Sequence, residues 1–105
     1  MRLLVDKSKV TFTVSKAVEE KKDQDGRQRT DRRTQEPLWT VQLFALDETG
    51  GEVIMVTVAG AAPKVTVGQS VTPVELEAIP WAQNGRNGTA FRAKSISAVS
   101  AAKAA

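Results

Sequence analysis

Val10, Phe12, Val14, Lys16 and Val18 alternate with Thr11, Thr13, Ser15 and Ala17. A period of two with one apolar side predicts a strand. A second strand follows over Pro37 to Leu46. Trp39, Val41, Leu43 and Ala45 form one face, and Leu38, Thr40, Gln42, Phe44 and Leu46 the other. Apolar residues on both faces predict a bent strand covered in part on two sides. Asp47-Glu48-Thr49-Gly50-Gly51 reads as a tight turn whose two glycines supply positive φ. Glu52 to Ala59, rich in β-branched residues, is the third strand, and Gly60-Ala61-Ala62-Pro63 ends it. Pro63 and Gly68 leave room for a single helical turn at most before the next strand. Ser70 to Pro80 is the fourth strand. Its two prolines, Pro73 and Pro80, cannot donate to a ladder and belong at an edge or a bend. Asn84-Gly85-Arg86-Asn87-Gly88 turns the chain into a fifth strand, Thr89 to Val99. Residues 1–99 form one domain, and residues 100–105 read as a frayed tail. Five short strands with turn signals between them predict a small closed β-barrel, all-β in class.

One segment breaks the pattern. Glu19 to Gln35 contains no apolar residue at all. It cannot bury enough surface to fold alone. We read it as a long polar loop between strands 1 and 2 whose base extends the flanking strands.

The net charge is +3, and the second half of that loop carries a local excess of three positive charges, with a weaker contribution from the first fifteen residues. Residues 26–35 carry Arg27, Arg29, Arg32 and Arg33 against Asp31 alone, whereas residues 36–105 hold five cations and six anions. Such an arm attracts phosphates in a salt-sensitive way. A solvated loop with no partner is the plain alternative. The 105 residues suffice for one modest core. Without cysteine or histidine there is no disulfide, no thiolate nucleophile and no zinc finger. No apolar run reaches the length of a membrane span. The start, Met1-Arg2-Leu3-Leu4-Val5-Asp6-Lys7, is too short in its apolar part for a secretory signal. The expected location is the cytoplasm, and neither a cofactor nor a metal is expected.

Val67-Gly68-Gln69-Ser70-Val71, Leu76, Pro80-Trp81, the Asn-Gly turn and Phe91-Arg92-Ala93 resemble the second half of bacterial single-stranded DNA-binding OB domains. A closer resemblance, over roughly residues 1–99, is to a family of small actinobacterial regulatory proteins that accompany integrative plasmids. That family includes replication, integration and excision activators. Its polar arm with a Thr-Asp or Arg-Asp element and its Pro-Leu-Trp-like strand are matched by Thr30-Asp31 and Pro37-Leu38-Trp39-Thr40-Val41. Gly85-Arg86 and Phe91-Arg92-Ala93 match as well. The resemblance implies a five-stranded OB-fold-like barrel and a role around mobile-element DNA. The chain departs from the housekeeping single-stranded DNA-binding proteins in lacking an acidic tail ending in Pro-Phe and in having no tyrosine. Partner recruitment through such a tail is not expected, and base stacking would rest on few rings.

OB folds bind oligonucleotides across strands 2 and 3, flanked by the loops between strands 1 and 2 and between strands 4 and 5. The first loop here carries Arg27, Arg29, Arg32 and Arg33, and the second Asn84, Arg86 and Asn87. Arginine suits the role because its planar fork grips phosphate and stacks on bases. Trp39 and Trp81 are the candidate stacking platforms, with core filling as the alternative for each. Phe12, Phe44 and Phe91 are expected in the core. Arg92 and Lys94 fall on one side of strand 5, where they either extend the cationic track or pair with Glu75 and Glu77.

No catalytic constellation is present. Glu75 and Glu77 read as cross-strand partners of cations. Asp47-Glu48 has no converging metal ligands, and Gly50-Gly51 lacks the strand–helix frame of a phosphate loop. The expected function is non-enzymatic binding of single-stranded DNA, with RNA not excluded, on behalf of a plasmid or other mobile element. The alternative is a protein-interaction module that acts on replication or transfer proteins through an exposed strand or as a homodimer or higher oligomer. A duplex-DNA regulator is disfavoured because no helix-turn-helix pattern occurs.

Overall fold

A computed structural model of the chain describes residues 3–4 and 9–99. The expected frayed tail, residues 100–105, lies outside the described residues. Every regular element among the described residues is a strand. They are β1 (Leu3–Leu4), β2 (Thr11–Val14), β3 (Glu19–Glu20), β4 (Leu38–Asp47), β5 (Gly50–Ala59), β6 (Ser70–Val74), β7 (Glu77–Gln83), β8 (Arg86–Ala93) and β9 (Ser95–Ala98). No helix among these residues is long and apolar enough to cross a membrane.

All nine strands join one mixed sheet in the order β1-β7-β8-β5-β4-β2-β6-β9, with β3 paired on β4. The longest ladder is the β4–β5 hairpin, from Leu38 opposite Ala59 to Asp47 opposite Gly50. Its inward residues Val41, Leu43, Ile54, Val56 and Val58 meet Phe12, Val14, Val71, Leu76 and Ala93 in a single core. Each fully buried aliphatic side chain contributes roughly 1.5–3 kcal/mol. The inward face therefore holds the sheet together, and the outward face is left for other uses.

The first expected strand is shorter than its alternation. Pairing with β4 ends at Val14, and the chain re-enters the sheet at Glu19, opposite Thr40. Lys16 explains the departure. Its place in the alternation points it at the core, and its ammonium instead lies in solvent 2.9 Å from Glu19. Ser15 closes the exit, with its N–H and its hydroxyl both donating to the Gln42 carbonyl.

The sheet is not closed into a barrel. The expected fourth strand is split into β6 and β7, and the expected fifth into β8 and β9. The break falls at Glu75–Leu76 rather than at the prolines. Glu75 takes a left-handed backbone, φ 51°, and Leu76 turns into the core at 1% exposure. The register survives the break. Val74 stands opposite Ser95 and Glu77 opposite Arg92, so two residues are skipped on each side. Pro73 faces Ile96 beyond the end of the β2 pairing, and Pro80 faces Thr89 beyond the described β1 pairing. Among the described residues, both prolines thus have a strand neighbour on one side only, as their missing N–H demands. The β7–β8 turn is Asn84-Gly85, with φ of 52° and 78°. These are the two left-handed residues that a two-residue hairpin uses to match the strand twist.

The Arg-rich segment is ordered as an arm. β3 pairs with Trp39 and Thr40, and isolated bridges join Lys22 to Gln28 and Thr30 to Pro37. The Leu38 carbonyl accepts from the Lys21 N–H and from Gln28 Nε2, and the Leu38 N–H donates to Arg29 O. Leu38, on the outward face, is buried under this arm at 6% exposure. It supplies the apolar anchor that the arm itself lacks.

Candidate functional site

Directly opposed residues on neighbouring strands share a face. The registers therefore define one outward surface across four strands. β4 contributes Thr40, Gln42 and Phe44, and β5 their partners Thr57, Met55 and Val53. Arg92 lies beside Thr57 on β8. Along the β7–β8 hairpin, Glu77 faces Arg92, Ile79 faces Ala90, Trp81 faces Gly88 and Gln83 faces Arg86. Arg92, Arg86 and Trp81 thus occupy the same face as Phe44 and Met55.

The face is graded. Toward the β4–β5 turn it is apolar, with Phe44, Leu46, Val53 and Met55 exposed. Toward the arm it is polar and cationic. Lys21 Nζ reaches across the sheet to Thr57 Oγ1 at 2.9 Å, and Arg92 pairs with Asp31 further across on β8. β5 and β8 are paired only where Val56–Val58 meet Phe91–Ala93. Before that point they diverge around an open groove of about 660 Å³, walled by Lys21, Thr57, Met55, Val53 and Ala90.

A second depression, of about 530 Å³, lies beneath the arm and is lined by Arg29, Arg32, Arg33, Arg92, Asp31 and Leu38. Asp31 is 7% exposed. It accepts from Arg92 and from the N–H groups of Arg33 and Thr34. Its carboxyl is held at about 2, chiefly by Arg92 and then by the Arg33 amide. The positive field is strong enough to act on a third cation. Burial, and after it Arg29 and Arg92, push the Lys21 ammonium below its ordinary value.

The structure gathers some of the residues singled out in the sequence and separates others. Arg29, Arg32, Arg33 and Arg92 converge on one depression. Arg27 sits apart in the exposed turn at the arm's tip, where Asp23 Oδ1 accepts its N–H. Trp81, Asn84 and Arg86 lie on the exposed end of the β7–β8 hairpin. Lys94 lies just past the end of β8 and shares a depression with Arg92. Strand alternation stops at Ala93, the Lys94 N–H donates to Val74 O, and its surroundings include Glu36, Glu75 and Glu77. Trp39 falls on the inward side with Val41 and Leu43. It is half-buried, and its Nε1–H donates to Gly60 O at 2.8 Å.

The expectation that all three phenylalanines fill the core needs correction. Phe12 is buried and Phe91 packs against the core, but Phe44 is 39% exposed on the outward face. Its ring covers Gly51, where a Cβ would come within 2.3 Å of it. Glycine at 51 thus serves the close approach of this ring rather than a positive φ. Phe44, Met55 and Lys21 are absent from the candidate site residues that the sequence offers. The available signal was that Val53 and Met55 alternate with Ile54 and Val56, so one of these faces had to lie outside the core.

Among the described residues no group of three or more acidic, histidine or cysteine side chains could hold a metal ion. Comparison of the chain with protein-family models, with curated proteins and with solved structures finds no match.

Proposed function

We propose that the protein is a non-enzymatic single-stranded DNA-binding module whose ligand crosses the outward face of β4, β5, β8 and β7. The observation that carries this reading is the shared face. Two exposed aromatic rings, Phe44 and Trp81, stand on the same side of the sheet as Arg86, Arg92 and the arm's arginines. A single strand offers flat apolar bases along an anionic backbone, and its binding proteins combine stacking rings with a cationic track. The bases lie along Phe44, Met55 and Trp81, and the phosphates face Arg29, Arg32, Arg33 and Arg92.

The strand order supports the finer fold reading. β2 pairs with β4, β4 with β5, β5 in parallel with β8, β8 with β7, and the continuation of β7, β6, returns to β2. This order is compatible with that of a five-stranded Greek-key OB barrel opened at the split of its fourth strand. The resemblance to actinobacterial plasmid regulators adds a mobile-element setting to the proposal.

The test is fluorescence anisotropy with a labelled oligo-dT at two salt concentrations. Binding at low salt that falls steeply with added salt is expected. Absence of binding at low salt would reject the reading. A matched RNA oligomer in the same titration reports the preference between the two polymers.

A second reading, a protein-interaction module, draws on the groove. Gly50–Met55 of β5 is paired with β4 on one edge and has no strand partner on the other among the described residues. Such an edge accepts an added strand from a partner or a second copy. A nuclease-resistant complex, together with absent oligonucleotide binding, would favour it.

A further inference from the structure

Among the described residues, Asp31 is the one carboxylate lining the depression that four arginines share. As a bare charge it opposes polyanion binding. Its geometry assigns it the opposite role. The two carboxyl oxygens do different work. Oδ1 accepts from the N–H groups of Arg33 and Thr34, at 2.8 and 3.2 Å, and so shapes the turn that carries Arg32 and Arg33. Oδ2 accepts from Arg92, sixty-one residues away on β8.

The arm springs from the far side of the sheet. β3 lies on β4, and the row Thr40, Thr57, Arg92 leads from there across β5 to β8. Two side-chain tethers cross that row. Lys21 reaches Thr57 on the middle strand, and Asp31 reaches Arg92 on the far one. Backbone bonds such as Asp31 N–H to Glu36 O and Gln35 N–H to Asp31 O give the arm internal shape. They do not fix it against β8.

Resting on the nucleic-acid reading above, we infer that Asp31 is a positioning residue that holds Arg32 and Arg33 beside Arg92, so that removing its negative charge weakens polyanion binding. This runs against simple electrostatics, in which a lost anion strengthens such binding. The difference makes the inference decidable.

Asp31→Asn keeps an acceptor oxygen for the turn and removes the charge that holds Arg92. Asp25→Asn, at the exposed tip of the arm, changes the net charge equally and serves as the control. Two readouts on the full chain are needed. The first is oligo-dT affinity by anisotropy at low salt. Asp25→Asn should bind as well as or better than the unaltered chain, and Asp31→Asn roughly three- to tenfold more weakly, the scale of one ordinary hydrogen bond's net contribution. The second is the rate of tryptic cleavage after Arg32 and Arg33, which needs no ligand. It should rise on the order of tenfold in Asp31→Asn. Arg92→Gln should raise it similarly, and the double variant no further than the larger single effect, as for residues that act through one contact.

If Asp31→Asn binds oligo-dT as tightly as Asp25→Asn, or if its arm is cleaved no faster than in the unaltered chain, the inference is overturned. If the unaltered chain binds no oligo-dT, the nucleic-acid reading fails instead, and the cleavage rates alone decide whether Asp31 fixes the arm.

Discussion

Trp81 stands directly opposite Gly88, and its indole fills the space that a side chain at 88 would need. A Cβ there would approach Cζ2 to 2.7 Å. Glycine therefore lets the ring lie flat along the hairpin, the cross-strand aromatic-over-glycine arrangement that steadies exposed strands. Gly88→Ala should push the indole off the strand and change Trp81 emission. Oligo-dT affinity should fall toward that of Trp81→Ala. The backbone at 88 needs no positive φ, so the stability should change by no more than about 0.5 kcal/mol.

The two tryptophans should separate cleanly by experiment. Trp81 is 45% exposed, and Trp81→Ala should weaken oligo-dT binding by about 1–3 kcal/mol, the worth of one stacked base. Its stability should hardly change. Trp39→Phe removes the N–H that donates to Gly60 O. It should reduce stability by about 1 kcal/mol and leave binding intact. Titration calorimetry and urea denaturation measure the two effects.

Acid should release the Asp31–Arg92 contact that ties the arm to β8. Arg92, followed by the Arg33 amide, holds the Asp31 carboxyl at about 2 against an ordinary 3.8. A carboxylate depressed in this way adds stability above its unfolded value and loses it as pH falls through the folded one. Attachment of the arm should therefore be constant above about pH 4 and disappear toward about pH 2. The carboxyl chemical shift of Asp31, followed by NMR, reports this directly. A midpoint near 3.8 would contradict the latch geometry.

Neighbouring sheet positions should behave oppositely. Leu43 is fully buried, whereas Met55 on the facing strand is 47% exposed. Leu43→Ala should cost about 2–5 kcal/mol, a large part of the roughly 5–15 kcal/mol that holds a small domain together. Met55→Ala should stay within about 0.5 kcal/mol of the unaltered stability while lowering oligo-dT affinity. Paired urea and anisotropy titrations test both halves.

The β4–β5 and β7–β8 hairpins were legible in the sequence, because strand period and turn chemistry are local. Asn84-Gly85 is the clearest case, since its residue types dictate the backbone found there. The split at Glu75–Leu76 was not legible. Leu76 leaves the strand to fill the core, and nothing local to it records that the core needs filling. The order of the arm was hidden for a related reason. A stretch without apolar residues reads as unfolded, yet it is held by Leu38 beneath it and by Arg92 from the far end of the chain. Phe44 was misjudged because β4 is apolar on both faces, and composition alone does not say which face is covered. For Trp39 and Trp81, strand parity and the neighbouring carbonyl of Gly60 settle which ring turns inward.

The central claim is that a single strand of nucleic acid lies across the face bearing Trp81. In a Trp39→Phe background Trp81 is the only tryptophan, so its emission reports on that face alone. Added oligo-dT should quench it saturably at low salt, and high salt should restore it. Unchanged emission at low salt, with the variant folded, would contradict the account.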